Sequence, residues 1–274
     1  MDFVSKLAQA SMKNKSLLCV GLDPDITLLP EGVGIIDFNR AIIDATADLV
    51  CAYKPNIAFY ESLGIEGLEA LKQTRKYIPD DIPAIIDAKR GDIGNTARAY
   101  AQSLFEYFNF DATTASPYLG FDSLEPFIKY RERGVFILCR TSNKGALDFQ
   151  SLSCVTDNGQ KMLFEIVAEK VNQWNTYNNL GLVIGATYPE ELKLIRQRYQ
   201  DMPLLIPGVG AQGGDLSTVV RNGSDTGRRL TIINSSRQIL YASSGADFAM
   251  AARQQATELR EQINEILDEN ATRG

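Results

Sequence analysis

A chain of 274 residues with 45% hydrophobic side chains can bury a large core, as one barrel-sized domain or two smaller ones. A formal net charge of −6 and the lack of any Lys/Arg run argue against nucleic acid or an anionic membrane as partner, and leave room for a small anion at a local positive site. Histidine is absent, which removes Ser-His-Asp and Cys-His nucleophile systems, His-ligated metals and an imidazole base. Cys19, Cys51, Cys139 and Cys154 show no CxxC spacing, and the first three sit in apolar runs, as in a reduced cytoplasmic protein. No signal-peptide pattern opens the chain, and no apolar stretch reaches the roughly 18 residues of a membrane span.

In chain order, residues 2–13 predict a short capping helix with Phe3, Leu7 and Ala10 on one side. Ser16 to Leu22 predicts a first strand with Asp23-Pro24 at its tip, and the three-and-four spacing from Ile35 to Leu49 predicts an amphipathic helix. A second strand runs from Val50 to Lys54, stopped by Pro55, and a helix covers about Ser62 to Tyr77. Pro83 to Lys89 is the third strand, followed by a helix with Ile93, Ala97, Ala101 and Leu104 on its apolar face. Strands follow at Ala112–Ser116 and Gly134–Cys139, the latter uninterruptedly apolar as in a strand covered on both faces. The polar stretch from Thr141 to about Asn158 predicts a lid. The last strands are Leu180–Gly185, Pro203–Ile206 and Leu230–Asn234, and a final helix carries Phe248, Ala252, Leu259, Ile263 and Ile266 on one stripe. Eight strands alternating with helices give the pattern of an α/β protein, a (β/α)₈ TIM barrel with an N-terminal capping helix, spanning 1–274 as one domain. A doubly wound open sheet is the competing fold, but Gly21-Leu22-Asp23-Pro24 after the first strand is no G-x-G-x-x-G loop.

In such a barrel the chemistry collects at the C-terminal strand ends, and polar residues stand there on most strands: Asp23, Lys54, Asp87, Lys89 with Asp92, Ser142, Gln212 and Arg237. Strand alternation points Asp87 and Lys89 the same way, and Asp92 lies just beyond, where the chain can fold it back toward Lys89. Two carboxylates flanking one ammonium would hold Lys89 protonated, so that it serves as an acid and not as a Schiff-base nucleophile. The same residues would also make a structural ion-pair cluster. The glycines from Gly208 to Gly214 after the seventh strand, with Ser236 and Arg237 after the eighth, match the phosphate site of this fold. Asp23 has an equally ordinary use in a turn, and Ser142 and Asn143 read either as a loop start or as substrate contacts.

Leu22-Asp23-Pro24, Ala52-Tyr53-Lys54-Pro55-Asn56, Asp87-Ala88-Lys89-Arg90-Gly91-Asp92-Ile93, Thr141-Ser142-Asn143, Pro207 to Gly214 and Asn234-Ser235-Ser236-Arg237 together resemble the orotidine 5′-phosphate decarboxylase family, in its bacterial subgroup with extended loops. The resemblance implies a reaction without cofactor or metal, in which orotidine 5′-monophosphate loses CO₂ and becomes uridine 5′-monophosphate in pyrimidine biosynthesis. It implies that Lys89 protonates C6, with Asp87, Lys54 and Asp92 completing a charged network. Asp23 and Lys54 would hold the ribose, Ser142 the pyrimidine, and Gln212, Ser236, Arg237 and the Pro207 loop the phosphate. Asp92, Ile93 and Thr96 would serve the neighbouring subunit of a homodimer with shared sites. Lys144 departs from the proline expected after Ser142-Asn143, which bears on lid geometry. Two alternatives remain open. A metal-dependent sugar-phosphate lyase of the same barrel group shares Asp-x-Lys-x-x-Asp but generally has a Glu on strand 2 and a His further on, whereas this chain has Lys54 and no His. A catalytically idle phosphosugar-binding protein is the other.

Overall fold

The computed structural model of the chain describes residues 1–157, 159–209 and 215–273. The eight expected strands are present: β1 Leu18–Leu22, β2 Ala52–Pro55, β3 Ile85–Arg90, β4 Ala112–Ala115, β5 Gly134–Arg140, β8 Leu180–Ile184, β9 Leu204–Pro207 and β10 Thr231–Ser235. Between β5 and β8 a separate antiparallel hairpin forms from β6 Ser153–Thr156 and β7 Gly159–Met162. The eight strands lie parallel in the order β2-β1-β10-β9-β8-β5-β4-β3. Single parallel bridges Tyr53–Ala84 and Asn56–Asp87 bring the two ends of that sheet together, giving a TIM barrel.

Apolar runs form these strands because both faces are covered. The outward side packs under the helices, while the inner core takes one residue from each of the eight strands, from Cys19 on β1 to Ile232 on β10. Burial pushes the Cys19 thiol up to about 12 and raises those of Cys51 and Cys139, so these three are packed residues.

The capping helix is α1, Phe3–Asn14, started by the Asp2 carboxylate, which accepts from Ser5 N at 2.9 Å. Its inward stripe is Phe3, Leu7 and Ala10, all buried, and the Phe3 ring stands edge-on to Phe136 on β5 at 5.6 Å. Lys6 on the same helix meets Asp111 at 2.9 Å, at the foot of β4. The helix thereby plugs the end of the barrel opposite the polar strand tips.

Two expectations change. The expected helix after β1 is α2, Ile35–Thr46, but the helix from about Ser62 is preceded by another, α3 Ile57–Glu61, capped by the Asn56 side chain; α4, Gly64–Tyr77, then starts at Gly64, whose φ of +65° suits glycine. The predicted lid also carries secondary structure of its own: a 3₁₀ turn, Lys144–Asp148, leads into the β6–β7 hairpin. Those two short strands expose most of their residues, so no apolar alternation marked them. Among the described residues, no helix is long and apolar enough to cross a membrane.

Emptying the plug tests its role. Phe3→Ala is expected to cost about 3 to 5 kcal/mol, read as a lower urea midpoint at unchanged slope; an unmoved midpoint would show that α1 does not seal the barrel.

Candidate active site

The site is built on the end of β3. Its apolar half, Ile85 and Ile86, is buried; Asp87 follows with 12% of its side chain exposed, and Lys89 with 50%. Pairing with β4 slips between Ile86 and Arg90, and Lys89 takes a φ of +47°, a conformation that costs a non-glycine residue roughly 1–2 kcal/mol. Lys89 N donates to Thr114 Oγ1 at 2.9 Å, which holds the backbone in that turn. The Lys89 ammonium then lies 2.7 Å from Asp87 Oδ1. Asp87 and Lys89 do come together as the sequence predicts, but through this left-handed turn and not by simple strand alternation.

From β2, the buried Lys54 reaches Asp87 Oδ2 at 3.4 Å, and Thr114 Oγ1 on β4 donates to Asp87 Oδ1 at 2.8 Å. Burial by itself would raise the Asp87 carboxyl; the Lys54 and Lys89 ammoniums and the hydrogen bonds outweigh it and pull it down to about 2. Burial likewise works against the charge on Lys54, yet Asp87 and Asp23 raise it above the ordinary lysine range. Asp87 is thus a carboxylate and Lys54 an ammonium at neutral pH.

A cavity of about 620 Å³ opens above this cluster. Asp23 lines it beside Lys54, with its Oδ1 accepting from Asn56 N at 3.1 Å. Ser142 lines the lid side, and Pro207, Ser236 and Arg237 line the β9–β10 side. Gly21 makes that last approach possible: a Cβ there would fall 1.8 Å from Ser236 Oγ. The cavity therefore runs from an exposed guanidinium at one wall to the paired ammoniums at its floor, a shape and polarity suited to an elongated, doubly anionic molecule.

Three predicted residues stay away from this cavity within the chain. Asp92 does not fold back on Lys89; its Oδ1 accepts from Ile93 N at 2.7 Å, a turn at the start of the next helix, α5 Gly94–Gln102. Ile93 and Thr96 are exposed on the surface beside it. Gln212 lies outside the described residues. Sequence reasoning in turn missed Thr114, Gln150 and Phe149 as parts of the site. Thr114 reads as an ordinary β-branched strand residue, and the other two lie in the polar lid stretch, where no periodicity singles them out.

Known proteins share this fold and much of this sequence. Residues 16–252 match the model of the orotidine 5′-phosphate decarboxylase / HUMPS family. The chain is 55% identical over 264 residues to an orotidine 5′-phosphate decarboxylase of Dehalococcoides mccartyi, covering 96% of this chain and 98% of that one. Its fold is similar to the solved structure of Leishmania donovani OMP decarboxylase, with a TM-score of 0.85 and 40% identity over 97% of this chain and 99% of that one. It also matches Leishmania donovani UMP synthase with a TM-score of 0.87 and 42% identity, over 97% of this chain and 56% of that longer one. Motifs, barrel and full-length similarity converge: the chain belongs to the orotidine 5′-phosphate decarboxylase / HUMPS family.

Proposed function

We propose that this chain, acting as one barrel domain in the cytoplasm, decarboxylates orotidine 5′-monophosphate to uridine 5′-monophosphate in pyrimidine biosynthesis, using its own side chains alone. The observation that carries the reading is the Asp87 carboxylate wedged between the Lys54 and Lys89 ammoniums on the cavity floor. As the C6–carboxylate bond breaks, CO₂ leaves and the electron pair stays on C6. The Lys89 ammonium delivers its proton to that carbon and is reprotonated from solvent. A fixed positive charge beside the developing carbanion is worth most where water is excluded. Asp87 holds Lys89 in place and lies against the departing carboxylate. Lys54 and Asp23 hold the ribose, Ser142 the pyrimidine, and Ser236, Arg237, Gln212 and the Pro207 loop the phosphate. Grip on the phosphate and ribose fixes the base against the charged floor, so binding energy remote from C6 supports the reaction.

The metal-dependent lyase reading is disfavoured on charge. Two ammoniums already flank Asp87, and a divalent cation on the same carboxylate would be repelled by both. Full-length similarity to proteins named for the decarboxylase supports the same choice.

Asp92, Ile93 and Thr96 serve the second subunit of a homodimer in this reading. Their place outside the chain's own cavity, with Ile93 58% exposed, fits residues that complete a neighbour's site.

Three measurements follow. With orotidine 5′-monophosphate and excess EDTA, the orotate absorbance should fall, and Lys89→Ala should slow turnover about 10²- to 10⁴-fold or more; folded protein with no absorbance change would sink the assignment. A second measurement concerns pH. A carboxyl held at about 2 in the fold and near about 4 in the unfolded chain contributes stability that is complete above the higher value and is lost as pH falls through the lower one. The stability gap between the parent and Asp87→Asn should therefore narrow between about pH 4 and pH 2, as followed by urea unfolding; a constant gap would contradict it. Finally, mixing Lys89→Ala with Asp92→Ala subunits should recover activity, because each mixed dimer contains one site with neither lesion. No recovery despite demonstrated subunit exchange would remove Asp92 from the partner's site.

A further inference from the structure

Gln150 closes the lid segment on itself. Its Oε1 accepts from Thr141 N at 2.8 Å, and its Nε2 donates to Thr141 Oγ1 at 2.9 Å; that hydroxyl donates onward to Asn143 Oδ1 at 2.6 Å. The Gln150 backbone is tied as well, its N–H to Ala146 O at 2.9 Å and its carbonyl to Phe164 N at 3.0 Å. Through side chain and backbone together, one residue thus joins the root of the lid, its 3₁₀ turn and the start of the following helix, Leu163–Trp174.

Beneath it lies Arg140, the last residue of β5 and, at 1% exposure, the largest of the fully buried side chains. Its guanidinium ion-pairs with Glu191, stacks 3.6 Å from the centroid of the Tyr188 ring, and approaches Gln150 Oε1 to 3.5 Å. Such a buried cation is costly unless its partners are fixed, so it anchors the site of Gln150. On the far side of the lid root, Gly185 N donates to Arg140 O at 2.6 Å, and a Cβ on Gly185 would fall 2.7 Å from Ser142 N. Ser142 is therefore confined between Gly185 and a Thr141 that Gln150 holds.

We propose that Gln150 is a positioning residue for the base end of the substrate site: it pins Thr141 so that Ser142 meets the pyrimidine, with Arg140, Tyr188 and Glu191 as its foundation. The proposal rests on the decarboxylase reading, and binding measurements separate the two. Gln150 is only half-buried, so its variants are the practical ones.

The experiment compares the parent, Gln150→Ala, Gln150→Glu, Ser142→Ala and the double variant Gln150→Ala/Ser142→Ala, using uridine 5′-monophosphate and ribose 5-phosphate as binding probes beside turnover of orotidine 5′-monophosphate. Gln150→Ala should weaken uridine 5′-monophosphate and lower kcat/KM by about 10- to 100-fold. Ribose 5-phosphate, which has no base, should bind within about twofold of the parent. Gln150→Glu retains an acceptor for Thr141 N and should recover most of the loss. Because Gln150 acts through Ser142, its removal from a Ser142→Ala background should cost far less than from the parent. Unchanged nucleotide binding in Gln150→Ala, an equal loss for both probes, or full additivity with Ser142→Ala would each overturn the proposal. If the parent binds uridine 5′-monophosphate without consuming orotidine 5′-monophosphate, the decarboxylase reading fails, while the binding contrasts still decide the role of Gln150.

Discussion

A carboxylate buried between two ammoniums constrains much of the rest of this barrel. Asp87 could not remain ionised at its depth alone, since burial favours the neutral acid; it is carried by Lys54 at 3.4 Å and Lys89 at 2.7 Å. Those two cations come from adjacent strands, so β2 and β3 must end at one level. That requirement falls at the seam of the barrel, where the backbones of β2 and β3 meet through the isolated bridges Tyr53–Ala84 and Asn56–Asp87. The ion pair from Lys54 to Asp87 crosses the same seam. The charged cluster is therefore a fastening of the fold as well as the floor of the cavity, and removing Asp87 would take from the buried Lys54 its ion-pair partner.

The placement of the ammoniums, with Arg237 at the far wall, explains why such a cavity suits an anionic substrate. Lys54 and Lys89 stand on either side of Asp87, with Asp23 beside Lys54, in a chain whose overall formal charge is −6. A substrate carboxylate arriving beside Asp87 would face the Lys89 ammonium, and its departure as CO₂ would leave that ammonium beside the carbon where electron density develops. Positive charge placed before the reaction requires no reorganisation during it. The left-handed turn at Lys89 serves the same arrangement: backbone strain at one residue brings its ammonium back over its own strand.

The sequence made the strands legible because strands covered on both faces must be apolar throughout, and all eight lie where those runs predict them. The polar tips were legible for the complementary reason, that a charged residue ending such a run needs a partner. Lys54, Asp87 and Lys89 find theirs in one another, and Asp23, Ser142, Pro207, Ser236 and Arg237 gather round the same cavity. Features that depend on neither burial nor periodicity stayed hidden. The β6–β7 hairpin is short and largely exposed, so it carries no pattern. Thr114 acts through a hydroxyl that is unremarkable in sequence, and Gln150 and Arg140 matter only because the fold brings residues 140, 150, 188 and 191 together.

The cavity is held at its two ends by different machinery, and this division bears on how binding could serve catalysis. At the β9–β10 end, Gly21 gives up its side chain so that Ser236 can approach, and Arg237 stands at the start of the next turn. At the lid end, Gly185 gives way to Ser142 in the same manner, while Gln150 and Arg140 brace the lid root. In the proposed reaction the phosphate and the base would be gripped independently, with Asp87 and Lys89 between them. An extended substrate held at both ends has little freedom to withdraw its middle from a charged floor, so the grip at the ends becomes alignment at C6. Loosening one end should therefore misalign the reacting carbon even when the other end still holds.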